Sequence, residues 1–301
     1  MTPASGQSTE SGEGRIVIVA PAKLNLGLEV IGRRDDGFHE IATIFMAIDL
    51  YDRVTLSLAA DLELSCSDDS LGGEENLALR ALRLLRDETN HPGGVRIDLC
   101  KRVPAAAGLG GASSDAAAAL LGGRELWGLD VSDARLHDLA TCLGSDVSFF
   151  LRGGCAIGRG RGDRLEPLPL PAQCWFVVVV PDVQIPAKTA SLYARLRADN
   201  FSDGSRIAAQ AARLSSGQEP DLSLLRNAFA RPLYAIAPEL AALPGIIRNA
   251  GAESVAISGA GPAHYSLLTD AGQAERIAAR LRERLEERAQ VFIARQAPPR
   301  S

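Results

Sequence analysis

PAAAGLGGASSDAA, residues 104–117, joins a predicted strand over Val95–Val103 to an alanine-rich helix. Its glycines, Gly108, Gly110 and Gly111, can adopt positive φ angles and expose consecutive backbone N–H groups. A glycine-rich loop that leads into a helix binds anions, because free N–H groups and the helix dipole both favour negative charge. The segment therefore predicts a phosphate-binding loop. The alternative is a glycine turn that only lets the helix pack closely on the strand.

Two common nucleotide-binding motifs do not describe this loop. A Walker A motif requires a lysine directly after a glycine, and none of the three lysines, Lys23, Lys101 and Lys188, has a glycine before it. A dinucleotide-binding fingerprint needs a glycine where GLGGAS, residues 108–113, ends in serine, and Asp130 opens a helix instead of closing a second strand. The P-loop is thus excluded, and dinucleotide binding is the less favoured alternative.

A second polar element is the predicted strand over Arg15–Ile31, which contains PAKLNLGL at residues 21–28. Hydrophobic and polar residues alternate in it, so Lys23 and Asn25 lie on one polar face, about 7 Å apart along the strand. Lysine is rare in this chain, with three among 32 basic residues. Lys23 therefore stands out as a compact ammonium group that can lie beside a carboxylate or a phosphate.

The composition is typical of a globular chain with more than one core. The 301 residues are 46% hydrophobic and 23% charged, and no apolar run reaches the roughly 18 to 20 residues of a membrane-spanning helix. A net charge of −5 without a basic block argues against nucleic acid as a partner. Five scattered cysteines and four dispersed histidines argue against a disulfide framework or a structural zinc site.

Helices and strands interleave along the chain, which predicts an α+β fold. A proline-rich stretch at 167–171 divides it into a domain over residues 15–168 and a second domain over residues 172–297, where a helix is predicted over Leu222–Ala242. Residues 1–14 contain neither a basic nor an apolar region, so we expect a disordered tail rather than a signal peptide. That expectation places the protein in the cytoplasm.

Three motifs, PAKLNLGL, PAAAGLGGASSDAA and ISGAGPA at residues 257–263, occur in the order found in the GHMP small-molecule kinases, and the chain resembles that family across both predicted domains. Three further segments resemble one of its subgroups, in which the acceptor is a methylerythritol linked to cytidine diphosphate, on the non-mevalonate route to isoprenoids. These segments are DDGFHEI at 35–41, LGSDVSFF at 143–150 and GGCAIGRGRGD at 153–163.

The resemblance implies a ribosomal-S5-like N-terminal domain, a ferredoxin-like C-terminal domain and an active site in the cleft between them. ATP and Mg²⁺ would be the cofactors, and the γ-phosphoryl group would pass to the 2-hydroxyl of the cytidine-diphosphate-linked acceptor. The ATP-binding residues expected from the resemblance are Lys101, Pro104, Ala105, Ala106, Ala107, Gly108, Leu109, Gly110, Gly111, Ala112, Ser113 and Ser114.

The expected catalytic pair is Asp146 and Lys23. A tertiary alcohol is a poor nucleophile, so a carboxylate within about 3 Å would take its proton, while a nearby ammonium would keep the carboxylate ionised and stabilise the transferred charge. On local grounds alone, Asp146 is equally well explained as the N-cap of the helix that follows it.

The acceptor site is also inferred from the resemblance. Asn25 would bind the erythritol hydroxyls, unless it is a satisfied amide at the edge of the strand. The ring faces of Phe38 and Tyr193, together with His39, would bind the cytosine. Gly259 and Gly261 of the third motif would approach the substrate through their backbone.

The sequence leaves open the roles of two residues, Asp115 and Lys188, and two other functions for the protein. Asp115 replaces the asparagine usual in the family, and would either ligate magnesium through water or stabilise the helix N-terminus. Lys188 is either a surface residue or adjacent to the substrate. The alternatives are a GHMP kinase that acts on another alcohol and a catalytically silent relative that serves as a binding protein. The protein is expected to be a monomer or a homodimer.

Overall fold

A computed structural model describes residues 10–12 and 14–300 of the chain. The N-terminal domain contains one large sheet with helices packed on it. Its strands are β1 (Glu10–Gly12), β2 (Arg15–Arg33), β3 (His39–Ala59), β4 (Glu63–Cys66), β5 (Gly94–Cys100), β6 (Cys155–Gly160) and β7 (Arg164–Leu168), and its helices are α1 (Leu77–Thr89), α2 (Gly111–Leu126), α3 (Asp133–Leu143) and α4 (Val147–Arg152).

The C-terminal domain contains a smaller antiparallel sheet and five α-helices among the described residues. Its strands are β8 (Trp175–Pro181), β9 (Ala256–Ile257), β10 (His264–Leu268) and β11 (Ala289–Arg295), and its helices are α5 (Lys188–Arg195), α6 (Ser205–Ser215), α7 (Ala230–Ile236), α8 (Leu243–Asn249) and α9 (Ala271–Leu285).

The large sheet has the order β1-β2-β3-β5-β4, with β6 paired to β3 and β7 paired to β6. Because β3 is 21 residues long, it pairs with β6 through residues 41–46 and with β5 through residues 53–59. Helix α2 lies close against this sheet at Gly122, where an added Cβ would stand 2.6 Å from the side chain of Leu56. The glycine loop that precedes α2 is thereby held at one end of the sheet.

The small sheet has the order β11-β8-β10-β9 and separates two cores. Side chains alternate along β8, so Val177 and Val179 pack in a core with α8 and α9, whereas Phe176 and Val178 pack in a core shared with β2 and β3. The second core joins the two domains, and the cleft described below opens beside it.

The structure differs from the sequence-based predictions at the N-terminal tail and in the helix predicted over Leu222–Ala242. Most of the predicted tail, residues 1–9 and 13, lies outside the described residues, but Glu10–Gly12 form a strand antiparallel to β2. The single helix predicted over Leu222–Ala242 is wrong. Only short helices occur there, a 3₁₀ turn at Leu222–Leu224, α7, and a 3₁₀ turn at Pro238–Ala242.

The interruption before α7 has a clear physical cause. The backbone there pairs with β2 instead of continuing a helix: Leu28 N donates to Arg226 O at 2.7 Å and Ala228 N donates to Leu28 O at 2.9 Å. The side chain of Asn227 donates to the backbone oxygens of Ile257 and Gly259, at 2.9 and 2.8 Å. This segment therefore fixes the third motif against β2.

Within residues 10–12 and 14–300, we find no helix with the length and apolar character needed to cross a membrane.

Candidate active site

A cleft of about 2220 Å³ lies between the glycine loop and residues 182–197 of the C-terminal domain. Sites for a single small molecule commonly measure about 300–1,000 Å³, so this cleft has room for two substrates side by side. Most of the residues expected to bind ATP or the acceptor line it. Three of them, Leu109, Ser114 and Gly261, are instead buried behind the lining.

The glycine loop has the backbone that its sequence predicts. Gly108 and Gly110 have φ angles of +85° and +74°, and a Cβ on Gly108 would stand 2.3 Å from the backbone oxygen of Ser258. Gly110 is the N-cap of α2, and no side chain caps the helix. Because Ser114 N makes the first helical bond, to Gly110 O at 2.9 Å, the N–H groups of residues 111–113 precede the helical ladder.

Side chains of the N-cap type follow the glycine loop, but none of them takes the N-cap position of α2. Ser113, Ser114 and Asp115 lie inside the first turns of α2 rather than capping it. The close approach of the loop to the third motif requires glycine, so the cap position itself is taken by Gly110 with its positive φ. The loop thus both packs tightly and leaves free N–H groups at a helix N-terminus, which is the geometry of an anion site.

Lys23 lies at the floor of the cleft and is only 2% exposed. Its Nζ donates to Asn25 Oδ1 at 2.8 Å and to the backbone oxygen of Gly108 at 2.9 Å, and it lies 3.7 Å from Asp146 Oδ2. Burial lowers the pKa of Lys23, and the nearby charge of Asp146 opposes that shift only in part. One carboxylate at this distance leaves much of the ammonium charge available to a ligand.

Asp146 stands immediately before α4, as the sequence predicts, but its side chain makes no capping hydrogen bond. Its side chain is 35% exposed and faces the cleft, with Lys23 as its ion-pair partner. The carboxylate is therefore not used to stabilise the helix and is accessible to a bound molecule. Asp146 thus occupies the N-cap position of α4 without using its side chain as a cap.

Asn25 holds Lys23 in place. Its Oδ1 accepts hydrogen bonds from Lys23 Nζ and from Gly259 N, the latter at 2.7 Å, while its Nδ2 donates to Thr43 Oγ1 at 2.8 Å. Thr43 in turn donates to the backbone oxygen of Gly27 at 2.7 Å. The polar face of β2 is thus buried by the second domain instead of facing solvent, and the amide of Asn25 is largely satisfied within the protein.

Lys101 has a different environment from Lys23. Its Nζ contacts Asp52 Oδ2 at 2.5 Å and Asp115 Oδ2 at 2.6 Å, and Asp52 also accepts from the backbone N–H groups of Arg102 and Val103. Burial alone would lower the pKa of Lys101, but the two carboxylates together outweigh burial and raise it. Burial also raises the pKa of Asp115 to about 7, with Lys101 acting in the opposite direction. The open question about Asp115 is answered in part, because this residue pairs with Lys101.

The third motif closes the floor of the cleft. Gly259 has a φ of +53°, and a Cβ there would stand 3.0 Å from Lys23 Nζ. Ser258 Oγ donates to Gly108 O at 2.9 Å, which ties this motif to the glycine loop. The hydroxyl of Tyr265 donates to the backbone oxygen of Asn25 at 2.6 Å. All three motifs therefore meet around Lys23, although they are separated by some 80 to 240 residues in the chain.

The three residues expected to bind cytosine all line the cleft. The rings of His39 and Tyr193 stack on each other with centroids 4.8 Å apart, and Tyr193 also packs edge-on against Phe229. Phe38 is 52% exposed, with the guanidinium of Arg161 4.9 Å from its ring centroid. A stacked wall and an exposed aromatic ring are thus both available to a planar base.

Lys188 is a site residue whose place the sequence left open. It begins α5, lines the cleft and donates from Nζ to the backbone oxygens of Ala106 and Gly261. The only sequence signal for it was the scarcity of lysine. Its partners lie 82 and 73 residues away, so no local pattern could place it.

This arrangement, a glycine loop at a helix N-terminus facing a lysine–aspartate pair across a two-domain cleft, is that of a small-molecule phosphotransferase. Residues 76–154 match the family model for the GHMP kinases N terminal domain, and residues 208–287 match that for GHMP kinases C terminal. The chain belongs to the GHMP kinases, and it has their two-domain fold.

Comparison with individual proteins narrows the assignment. The chain is 38% identical over 263 residues to the 4-diphosphocytidyl-2-C-methyl-D-erythritol kinase of Dehalococcoides mccartyi, covering 87% of this chain and 92% of the relative. The enzyme of that name from Synechococcus sp. is 41% identical over 272 residues, covering 85% and 88%. A crystal structure of 4-(cytidine 5'-diphospho)-2C-methyl-D-erythritol kinase superposes with a TM-score of 0.78 at 37% identity, covering 93% and 99%. Within the GHMP kinases, the chain belongs to the family of 4-diphosphocytidyl-2-C-methyl-D-erythritol kinases.

Proposed function

We propose that this protein transfers the γ-phosphoryl group of ATP to the 2-hydroxyl of 4-diphosphocytidyl-2-C-methyl-D-erythritol, a step of the non-mevalonate route to isoprenoids. The observation that carries the proposal is the buried ammonium of Lys23, 3.7 Å from the accessible carboxylate of Asp146 and hydrogen-bonded to the glycine loop. The membership of the chain in the family of that name supports this choice of substrate.

Asp146 acts as the general base. As the oxygen–phosphorus bond forms, the 2-hydroxyl proton moves to the carboxylate, the bond from the γ-phosphorus to its bridging oxygen breaks, and ADP leaves. Lys23 stabilises the negative charge on the transferred group and lies 3.7 Å from the Asp146 carboxylate. Asn25 positions Lys23 through the hydrogen bond to its Nζ, so in this mechanism it acts on the acceptor indirectly.

The nucleotide lies with its phosphates on the glycine loop, where the N–H groups of residues 111–113 are free of helical partners. The cytosine of the acceptor lies against aromatic residues of the cleft, between the wall formed by His39 and Tyr193 and the exposed ring of Phe38. Stacking uses the ring surface, so phenylalanine serves at this position as well as tyrosine would.

The residues of this site fit a magnesium ion held mainly by the nucleotide. Among the described residues, no group of three or more His, Cys, Asp or Glu side chains could form a metal cage. Mg²⁺ commonly takes one or two protein oxygens and several from phosphate and water. Asp115 Oδ1 and Ser114 Oγ are buried beside the loop without hydrogen-bond partners, and Asp115 would be the protein ligand. When bound, the ion would neutralise phosphate charge.

The direct test is ADP release by the purified protein with Mg-ATP. 4-Diphosphocytidyl-2-C-methyl-D-erythritol is offered in parallel with mevalonate, homoserine and galactose, and CMP is added as a competitor. We expect turnover with the cytidyl substrate alone and inhibition by CMP. Turnover with another alcohol would overturn the assignment of the aromatic residues, whereas ATP binding without turnover on any acceptor would favour a silent binding protein. Location in the cytoplasm and a monomeric or dimeric state stay predictions.

A further inference from the structure

Lys188 is held by neutral groups only. Its Nζ donates to the backbone oxygens of Ala106 and Gly261, which belong to the glycine loop and the third motif. In the part of the chain that the structure describes, the ion pairs made by lysine involve Lys23 and Lys101, with Asp146, Asp52 and Asp115 as their partners. Carbonyl oxygens orient an ammonium group but do not neutralise its charge.

The surroundings of Lys188 disfavour its positive charge. Burial, and then repulsion by the charge of Lys23, lowers the pKa of Lys188 to about 8. The two ammonium groups bind carbonyl oxygens of the same short loop, at Ala106 and Gly108. Two like charges are thus held near each other in one cleft. Asp146 lies 3.7 Å from Lys23, so it offsets part of this repulsion, and a bound anion would offset the rest.

A purely structural clamp between the two loops would not need this charge. Two carbonyl oxygens are satisfied by neutral N–H donors, and an ammonium without an anionic partner, even when half-buried as at Lys188, costs more than an amide in the same place. A positive charge kept in the cleft despite this cost in free energy indicates a negatively charged ligand. The cleft already offers the place for one, because the loop that holds Lys188 also leads into the free N–H groups of α2.

We propose that Lys188 binds phosphate oxygens of the substrates and, together with Lys23, flanks the phosphoryl group during transfer. This inference rests on the proposed function and extends it to a residue of the C-terminal domain. Phosphate oxygens could come from ATP or from the diphosphate of the acceptor. The contact with Ala106 in the glycine loop favours ATP.

The test compares Lys188→Met and Lys188→Arg with wild type, using Arg195→Met as the matched control. Arg195 lies on the same helix, is exposed and does not line the cleft. Calorimetric titrations use Mg-AMP-PNP and CDP separately, and kcat and KM are measured with both substrates. We expect Lys188→Met to weaken one ligand about 10- to 100-fold, as for the loss of a hydrogen bond to a charged group. Lys188→Arg should recover most of that loss, and Arg195→Met should bind both ligands like wild type.

The two titrations distinguish the sources of phosphate. A loss confined to AMP-PNP assigns Lys188 to ATP. A loss confined to CDP assigns it to the diphosphate of the acceptor and overturns its place beside the transferred phosphoryl group. Unchanged affinity for both ligands in Lys188→Met would overturn the proposal. The proposal would also be overturned if Lys188→Arg binds as weakly as Lys188→Met and both variants unfold at a lower temperature. Lys188 would then be a structural link between the glycine loop and the third motif. Failure of the proposed function would appear separately, as wild-type protein that binds AMP-PNP but releases no ADP with the cytidyl substrate.

Discussion

Lys23 and Lys101 are both largely buried beside the glycine loop, yet their surroundings are opposite in charge. Lys23 has one carboxylate at 3.7 Å and otherwise neutral partners, whereas Lys101 contacts two carboxylates at 2.5 and 2.6 Å. Burial prevails at Lys23 and lowers its pKa, while the paired charges prevail at Lys101 and raise its pKa. The number and distance of the carboxylates, rather than burial itself, decide which ammonium keeps free charge.

The difference separates a chemical role from a structural one. The cluster of Lys101 with its two aspartates carries a net negative charge when all three are ionised, so it has little attraction to offer a triphosphate. Lys101 nevertheless lines the cleft. We therefore interpret Lys101 as the residue that fixes β3, β5 and α2 to one another, and Lys23 as the one that acts on phosphate.

The largest effect is expected from Asp146→Asn. Asparagine keeps the shape of the side chain but cannot accept the hydroxyl proton, so kcat should fall about 10³-fold, within the range of general-base catalysis. Steady-state kinetics at saturating substrates measure this, with Asp138→Asn on the exposed face of α3 as the control. Turnover within a few-fold of wild type would mean that another group takes the proton.

Lys23→Met should have the next largest effect, with a fall in kcat of about 10²- to 10³-fold. Methionine fills the space of the side chain but removes the charge that opposes the developing negative charge on the phosphoryl group. The KM for the cytidyl substrate should change little, because the loss is confined to the transition state. A rise in KM with an unchanged kcat would show that Lys23 contributes only to substrate binding. It would contradict a catalytic role for Lys23.

Lys101→Met should instead act mainly on stability. Removing the ammonium leaves two buried carboxylates without their cation, which costs about 3 kcal/mol by the usual penalty for breaking a buried ion pair. Denaturant unfolding measures this cost. The control is Arg96→Met on β5, the strand that ends just before Lys101. The pair of Arg96 with Asp98 is about half exposed and should contribute under about 1 kcal/mol. Equal costs at the two sites would contradict the structural role of Lys101.

The same comparison shows what the sequence could predict. The glycine loop, the helix after it and the placing of Lys23 beside Asn25 depend on neighbours a few residues apart, and periodicity and turn chemistry are sufficient to find them. The partners of Lys101 are 49 and 14 residues away. The resemblance assigns Lys101 to ATP. Its ion pair with Asp52 cannot be predicted from the sequence, because only the folded sheet brings the two residues together.

The helix prediction over Leu222–Ala242 was wrong for the same reason, because the decisive partners lie far away in the chain. Local periodicity favours a helix over Leu222–Ala242, but the backbone of Arg226 and Ala228 finds better partners on β2. Asn227 likewise serves the third motif, 30 residues further along the chain. Tertiary hydrogen bonds thus override helix propensity at the point where the site is assembled.

Asp115→Asn should have the smallest effect on stability, and that effect depends on pH. Aspartate in the unfolded chain has a pKa near 3.8, whereas burial raises the pKa of Asp115 in the folded protein to about 7. Between these values the folded protein holds a proton that the unfolded chain has released, so the free energy of unfolding falls as pH rises from about 4 to 7.

Asparagine has no such proton, so the fall in stability between pH 5 and pH 8 should be smaller in Asp115→Asn by roughly 2 kcal/mol. Denaturant unfolding at pH 5, 6, 7 and 8 measures the difference, with Asp98→Asn as the control, because the Asp98 side chain on β5 is 48% exposed. Parallel curves for Asp115→Asn and wild type would show that Asp115 is ionised throughout, held so by Lys101.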